Sequence, residues 1–403
     1  MATPKHHRFI FATLVVITFI SPFANHMFIP AMPFVKEEFK IGDALAFATL
    51  STTMISMAFT TIIYGGISDE WGRKKVLLGG LILYTIGATV CWFAQGIESL
   101  LFGRVFQGAG AGCGIVLARA IARDVYGMER ITSVIANLTA AYVLGPLMAP
   151  TIGSFLVGWQ GWRIIFIVVS VIGLVLIAVI FFTLPETNPP AQKRPNFSTI
   201  VKNLFKNYWQ LLSVPRFSAY AILPGFTSGV FFANATASAF LAQEVLHMPV
   251  ELYGIWFLLM PACFFLGNLI SGQIGSRRSI GSMTIGGSLL CLLIVLGQWV
   301  WHNLTGLSIE VIMVPGALLG FAQGMLMPYA QTGAMQVNPS LAGSASGAVV
   351  FSQLFFAGVA EQSVGFLADQ TLLPVMYVMV FLATSAVCIA FLAEYFQQIL
   401  KRN

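Results

Sequence analysis

The sequence predicts an all-α membrane protein of twelve transmembrane helices in two pseudo-symmetric six-helix bundles. Three observations predict it. The 403-residue chain is 57% hydrophobic and only 9% charged, whereas soluble domains carry about 25% charged residues. One aqueous core cannot hide so much apolar surface. Twelve apolar stretches, each close to the ~20 residues that cross hydrocarbon, lie near 9–30, 45–67, 76–96, 99–120, 132–157, 163–184, 216–242, 251–274, 280–301, 306–331, 342–367 and 372–396. A polar break from Pro185 to Pro215 then divides them six and six. The expected organisation is an N-terminal bundle over 1–184, a linker over 185–215 and a C-terminal bundle over 216–403.

The first span runs directly into further spans without a small-residue cleavage site, so it reads as a retained helix and not as a signal peptide. The second ends in Gly65-Gly-Ile-Ser-Asp69-Glu-Trp-Gly72-Arg73-Lys74-Lys75. Gly72 permits a tight turn there, and Asp69 can meet the basic groups that open the next helix. The fourth span carries Arg104 about two turns from its start. A guanidinium stays charged at physiological pH. A charge at the bilayer centre costs roughly 2.5–3.5 kcal/mol on insertion scales and usually marks a substrate or ion path. The fifth span holds Gly145, Pro146, Pro150 and Gly153, which allow bending and close packing at low backbone cost.

Between the halves, Phe197, Ile200, Val201, Leu204, Phe205, Tyr208, Leu211 and Leu212 recur at helical spacing. They read as an amphipathic helix on the membrane surface. In the C-terminal half, Pro261 and Pro328 mark kinks, and Glu361 is the most deeply placed acid, about two turns from the end of the eleventh span. Its position admits either a functional carboxyl or an interfacial, solvated one. Faint matches relate the halves: Phe106-Gln107-Gly108 to Ala322-Gln323-Gly324, Arg73-Lys74 to Arg277-Arg278, and Gly79-Gly80 to Gly286-Gly287. Repeated halves around a midplane site are a transporter architecture.

With a cytoplasmic N-terminus, seventeen Lys and Arg residues fall inside and only Lys36, Lys40 and Arg163 fall outside. This positive-inside bias puts both termini in the cytoplasm. Because the net charge of +6 is spread over separate short loops, it gives no reason to expect nucleic acid as a partner. The five cysteines show no metal-ligand spacing, and no phosphate-cradling Gly-rich motif is present. No cofactor, metal or catalytic residue is therefore expected, nor is enzymatic activity.

The loop after the second span resembles the G-x-x-x-D-x-x-G-R-[RK] signature of the major facilitator superfamily, with Gly65, Asp69, Gly72, Arg73 and Lys74 in register and Glu70 where the family has a basic residue. Leu100–Gly108 resembles that family's fourth-helix pattern, with Arg104 as its arginine, and Asp124 stands where an acid pairs with the basic loop. Gly145-Pro146 through Pro150 and Gly153 looks like the antiporter motif of the drug:proton antiporter branch. Trp162-Arg163 and Leu184-Pro185-Glu186-Thr187 fit the same branch, and the whole is most similar to its bicyclomycin- and chloramphenicol-resistance type.

The resemblance implies a monomeric secondary transporter in a bacterial inner membrane, exporting drug-like compounds or metabolites by alternating access in exchange for protons. Residues that would line the coupling and substrate cavity are Arg104, His26, Asn25, Gln107, Glu361, Asn234, Tyr142 and Gln353. Tyr64, Asn137, Asn268, Tyr329 and Gln331 form a further polar minority, with Phe231, Phe232, Trp256, Met260, Phe264 and Met327 as an adaptable apolar wall. In Asn25-His26-Met-Phe-Ile-Pro30-Ala-Met-Pro33, His26 stands where the branch has aspartate, and no acid occurs from residue 9 to 36. Proton coupling would have to use another group: His26, Glu361 or, nearer the outer surface, Glu310. The alternative is a transporter or facilitator of an anionic solute, such as a carboxylate-type siderophore, without proton antiport.

Overall fold

The computed structural model describes residues 4–188, 197–338 and 341–402, less some side chains within helices, chiefly between 127 and 147. Every regular element among them is helical. In order they are α1 (Pro4–Met27), a 3-10 turn, α2 (Met32–Phe39), α3 (Asp43–Trp71), α4 (Arg73–Trp92), α5 (Ile97–Gln160), α6 (Arg163–Thr183), α7 (Phe197–Leu212), α8 (Pro215–Phe240), a π-helical turn (Leu241–Val245), α9 (Val250–Phe257), α10 (Leu259–Ile274), α11 (Ile280–Thr305), α12 (Ile309–Val337), α13 (Ala342–Leu367) and α14 (Leu373–Arg402).

Ten helical segments of the described residues are long and apolar enough to cross a membrane. The remaining two expected spans fall on α8, whose Thr227, Ser228, Asn234, Thr236 and Ser238 are polar, and on the second part of α5. α5 is a single helical run of 64 residues. At 1.5 Å per residue it would be about 96 Å long if straight, against ~30 Å of hydrocarbon. It doubles back instead. Arg163, just past its end, donates from Nη2 to the carbonyl of Ala94, just before its start, at 2.9 Å. Asp124, near its middle, meets Arg73 at the other face of the membrane. The two limbs are the fourth and fifth spans.

Glycines set how closely the spans approach. A Cβ on Gly153 would run into the carbonyl of Met27, and one on Gly145 would lie 2.7 Å from the Phe19 carbonyl, so the second limb of α5 lies on the backbone of α1. The internal repeat is visible in the same contacts. Gly108 packs on the α3 backbone at Thr53, and its counterpart Gly324 packs on the α10 backbone at Phe264. Gly80 faces Cys113 of α5, and its counterpart Gly287 faces Leu326 of α12.

We call the membrane face that bears Arg73, Lys74, Arg123, Arg277 and Arg278 the basic face. The two halves meet at the opposite face. There α3 packs along α13 and α5 against α9. Thr151 Oγ1 donates to Gly254 O at 2.6 Å, Gln362 Nε2 to Ala44 O at 3.0 Å, and Ser51 Oγ to Gln362 Oε1 at 2.7 Å. Lys36 Nζ lies 2.6 Å from both Glu244 and Asp43 and 4.5 Å above the Phe240 ring. On the basic face, α7 lies across the gap: a Cβ on Gly66 of α3 would touch Leu204, and one on Gly347 of α13 would touch Tyr208. Its other side leaves Phe205, Trp209 and Leu212 exposed, as a membrane-surface helix requires.

A candidate transport cavity and its buried arginine

Arg104 sits on the first limb of α5 and is fully buried. Its guanidinium donates from Nε to Thr49 O, from Nη1 to Gln107 Oε1 and from Nη2 to Asn25 Oδ1, each at 2.7 Å. Phe28 and Phe166 cover it, with ring centroids 4.6 and 5.8 Å from the guanidinium carbon. The cation is satisfied by three neutral acceptors and two aromatic faces. No carboxylate touches it among the described residues.

Beside this cluster a cavity runs between the halves. Asn25 and His26, near the end of α1, close it at the sealed face. Arg119, Gln331 and Gln353 line it on the side toward the basic face. Its walls include Met54, Met57, Phe231, Phe232, Phe264, Asn268, Gln323 and Met327, and the kink prolines Pro261 and Pro328 border it.

Of the eight residues expected to line the cavity, Asn25, His26 and Gln353 do so. Arg104 and Gln107 do not: they sit behind Asn25, because three buried acceptors outcompete an aqueous path for the guanidinium. Asn234 also lies off the cavity, near Gln298 Nε2 at 3.2 Å and Ile312 O at 3.4 Å between α8, α11 and α12. Glu361 is neither interfacial nor on the cavity wall. It is fully buried where α13 meets α8, accepting from Thr236 Oγ1 at 2.9 Å, and its other carboxylate oxygen has no partner. The Tyr142 and Asn137 side chains, like that of Pro146, lie outside the described residues. Tyr64 and Tyr329 donate to the carbonyls of Ala109 and Gly275 at 2.9 and 2.7 Å, and the Met260 side chain packs against Gly316, so none of these three lines the cavity.

The loop motif forms one network. Arg73 is buried, with Nη2 2.5 Å from Asp69, Nε 3.1 Å from Asp124 and Nη1 2.6 Å from Ser68 Oγ. Glu186 accepts from the Arg73 backbone N–H at 2.7 Å, placing a carboxylate at the N-terminus of α4, where the helix dipole favours it. Gly72 has φ +96°, and a Cβ there would collide with Glu186. Sequence reasoning did not find the role of Glu186, nor Arg119, Thr236 or the Lys36–Glu244 pair. The pair's partners are 208 residues apart, and only the fold brings them together.

The chain matches the family described as Major Facilitator Superfamily over residues 14–361. It belongs to that superfamily. Among its relatives, the bicyclomycin resistance protein homolog of Haemophilus influenzae is 24% identical over 95% of this chain and 94% of that protein. Multidrug resistance protein D of Escherichia coli is 29% identical over 86% of each. Among solved structures, a bacterial homolog of the human lysosomal transporter Spinster, inward-facing and unoccupied, superposes with a TM-score of 0.74 at 17% identity, covering 98% of this chain and 96% of that one. The Escherichia coli xylose transporter XylE, partially occluded and inward open, gives 0.72 at 12% identity, covering 95% and 97%. This superfamily member is thus a multi-pass membrane transporter of the twelve-helix major facilitator fold and not an enzyme.

Proposed function

We propose that the protein exports drug-like small molecules or metabolites across a bacterial inner membrane by alternating access, in exchange for protons. The observation that carries this reading is the cavity itself: apolar, aromatic and amide-lined, and sealed at the face opposite the basic one by the contacts between the halves. The relatives named for bicyclomycin and multidrug resistance support the export direction. In this reading the basic face is cytoplasmic, the halves 1–184 and 216–403 rock about the cavity, and 185–215 links them. The structure then corresponds to the inward-facing state.

Arg104 acts through Asn25: it holds the amide of the closed end in one orientation. Glu361 is the proton carrier. An ionised carboxylate with one hydroxyl donor and no cation in contact costs several kcal/mol to bury, so the proton-bound form suits the sealed state. Parting α3 from α13 hydrates the site and lets the proton exchange on the outer side. The Asp69–Arg73–Asp124 network holds the inner ends of the first bundle together as the halves move.

Proteoliposomes with an imposed pH gradient test this. Gradient-driven flux of a transported drug is expected in the wild type. In Glu361→Gln, exchange down a substrate gradient should continue while the response to the pH gradient is lost. A full pH response in Glu361→Gln would remove that residue as the carrier. No response to any gradient in the wild type would favour the anionic-solute facilitator. That second reading rests on Arg119, whose guanidinium lines the mouth of the cavity and donates to Ser346 Oγ at 3.4 Å.

A further inference from the structure

We infer that the closed end of the cavity is a hydrogen-bonding subsite for a neutral hydroxyl or carboxamide group carried on an apolar, aromatic body, and that the cavity rejects organic cations. The inference names the substrate class of the transport reading above and rests on that reading for movement, though not for binding.

Two consecutive residues of α1 carry it. Asn25 and His26 both line the cavity and are each only 4% exposed. His26 Nδ1 lies 2.6 Å from the carbonyl of Pro22. A carbonyl only accepts, so Nδ1 bears the hydrogen, and Nε2 of the neutral ring offers a lone pair. Nε2 has no partner. At Asn25 the polarity is reversed. The Arg104 guanidinium only donates, and its bond to Oδ1 fixes which end of the amide is oxygen. The Nδ2 amino group is left as a donor, also without a partner. Two neighbouring residues at the closed end therefore leave one acceptor and one donor, both buried and both unsatisfied. Buried polar groups in native structures are rarely left so, which points to a ligand or water as the missing partner. A hydroxyl or a primary amide donates and accepts at once and satisfies both. An ether accepts only and satisfies Asn25 alone. An ammonium satisfies at most His26.

The rest of the wall fixes the body of the ligand and its charge. Met54, Met57, Phe231, Phe232, Phe264 and Met327 make it soft and aromatic. The His26 ring packs on Phe232 at 5.2 Å. No acid is among the described lining residues. The chain from 131 to 162, some of whose side chains lie outside the description, contains none in its sequence either. Glu361 is off the wall, and the charged group among the described lining residues is Arg119. An organic cation would leave water for a cavity that offers it no counter-charge.

The test uses the purified full-length protein in nanodiscs and three matched probes: 2-naphthalenemethanol, its methyl ether, and the corresponding naphthylmethyl trimethylammonium. Equilibrium dialysis reads their binding. The alcohol should bind about three- to tenfold more tightly than the ether, the worth of one net hydrogen bond, and the ammonium should bind at least about tenfold more weakly than the alcohol. His26→Leu should abolish the alcohol's advantage while leaving the affinity for the ether nearly unchanged. Asn25→Asp gives Arg104 an ion pair, so it keeps the fold. It should weaken both neutral probes and improve the ammonium. An ammonium that binds the wild type as tightly as the alcohol overturns the inference. So does an alcohol-to-ether ratio near one, an unchanged ratio in His26→Leu, or the failure of all three probes to bind. The export reading fails separately: if the alcohol binds as described yet is not moved in proteoliposomes, the subsite stands and export does not.

Discussion

Replacing Lys36 by alanine should open the sealed face. Lys36 belongs to α2 and reaches across to Glu244, at 2.6 Å, and to the Phe240 ring, at 4.5 Å, while also holding Asp43 of its own half. The Lys36 and Glu244 side chains are 20% and 24% exposed. That places the pair between a surface ion pair, worth about 0.2–1 kcal/mol, and a buried one, whose breakage costs about 3–5 kcal/mol. The ring contact adds about 0.5–2 kcal/mol. Removing the cation also leaves the Asp43 and Glu244 carboxylates facing each other. An intermediate loss of about 1.5–3 kcal/mol, at ~1.4 kcal/mol per factor of ten, shifts the ratio of inward- to outward-facing molecules by roughly 10- to 100-fold. Spin labels at Gln160→Cys and Thr305→Cys, both at exposed sites of the sealed face on opposite halves, report the gap in a Cys388→Ser background. Electron–electron resonance should show a new, longer distance population in Lys36→Ala and none in Lys36→Arg. An unchanged distribution in Lys36→Ala would refute the assignment of this pair as a latch.

Other outcomes follow from the buried contacts. Arg104→Met strands three acceptors that now share one guanidinium, at about 1–3 kcal/mol each, so its melting temperature in detergent should fall by several degrees. Arg104→Lys, which keeps the charge but makes fewer bonds, should fall between it and the wild type. Gly153→Val drives a side chain into the Met27 carbonyl and should cost at least the 1–3 kcal/mol of an overpacked core, read by size-exclusion yield and thermal melting. Gly79→Ala, which meets nothing within 4 Å, is its control and should change neither. Asp124→Asn removes one of the two carboxylates on buried Arg73, and proteolysis at the exposed Arg123 of α5 should quicken by several-fold.

Hydropathy made the spans and the central break legible, because a membrane helix must be apolar along its whole length whatever it packs against. The Asp69–Arg73 pair was legible because its spacing is local; Asp124, 51 residues on, came only from the family resemblance, and the role of Glu186 was not seen. The direction of a buried side chain was not. Arg104 was placed at the right depth, but whether it meets the cavity depends on Thr49 and Asn25, which come from other helices. Glu361 shows the same limit from the other side. Two turns from a helix end reads as interfacial, yet α3 and α8 cover α13 there, so depth along the helix did not give exposure. α8 is the converse case: its polar residues weaken its hydropathy because it is buried among other helices instead of facing lipid.

A cavity with no acid among its described lining residues has an electrical consequence. On the proposed cycle, Glu361 returns inward carrying its proton, while a neutral substrate moves outward through walls that add no negative charge. Each turnover then transfers one net positive charge into the cell, and the membrane potential works alongside the pH difference. A potential of 100 mV contributes about 2.3 kcal/mol per charge, and one pH unit adds ~1.4 kcal/mol. Together they set a ceiling of roughly 500-fold on the gradient of a neutral compound that this transporter could maintain. An exchanger with a carboxylate in the cavity, trading a proton for a monovalent cation, would be electrically silent and would lose the larger share of that drive.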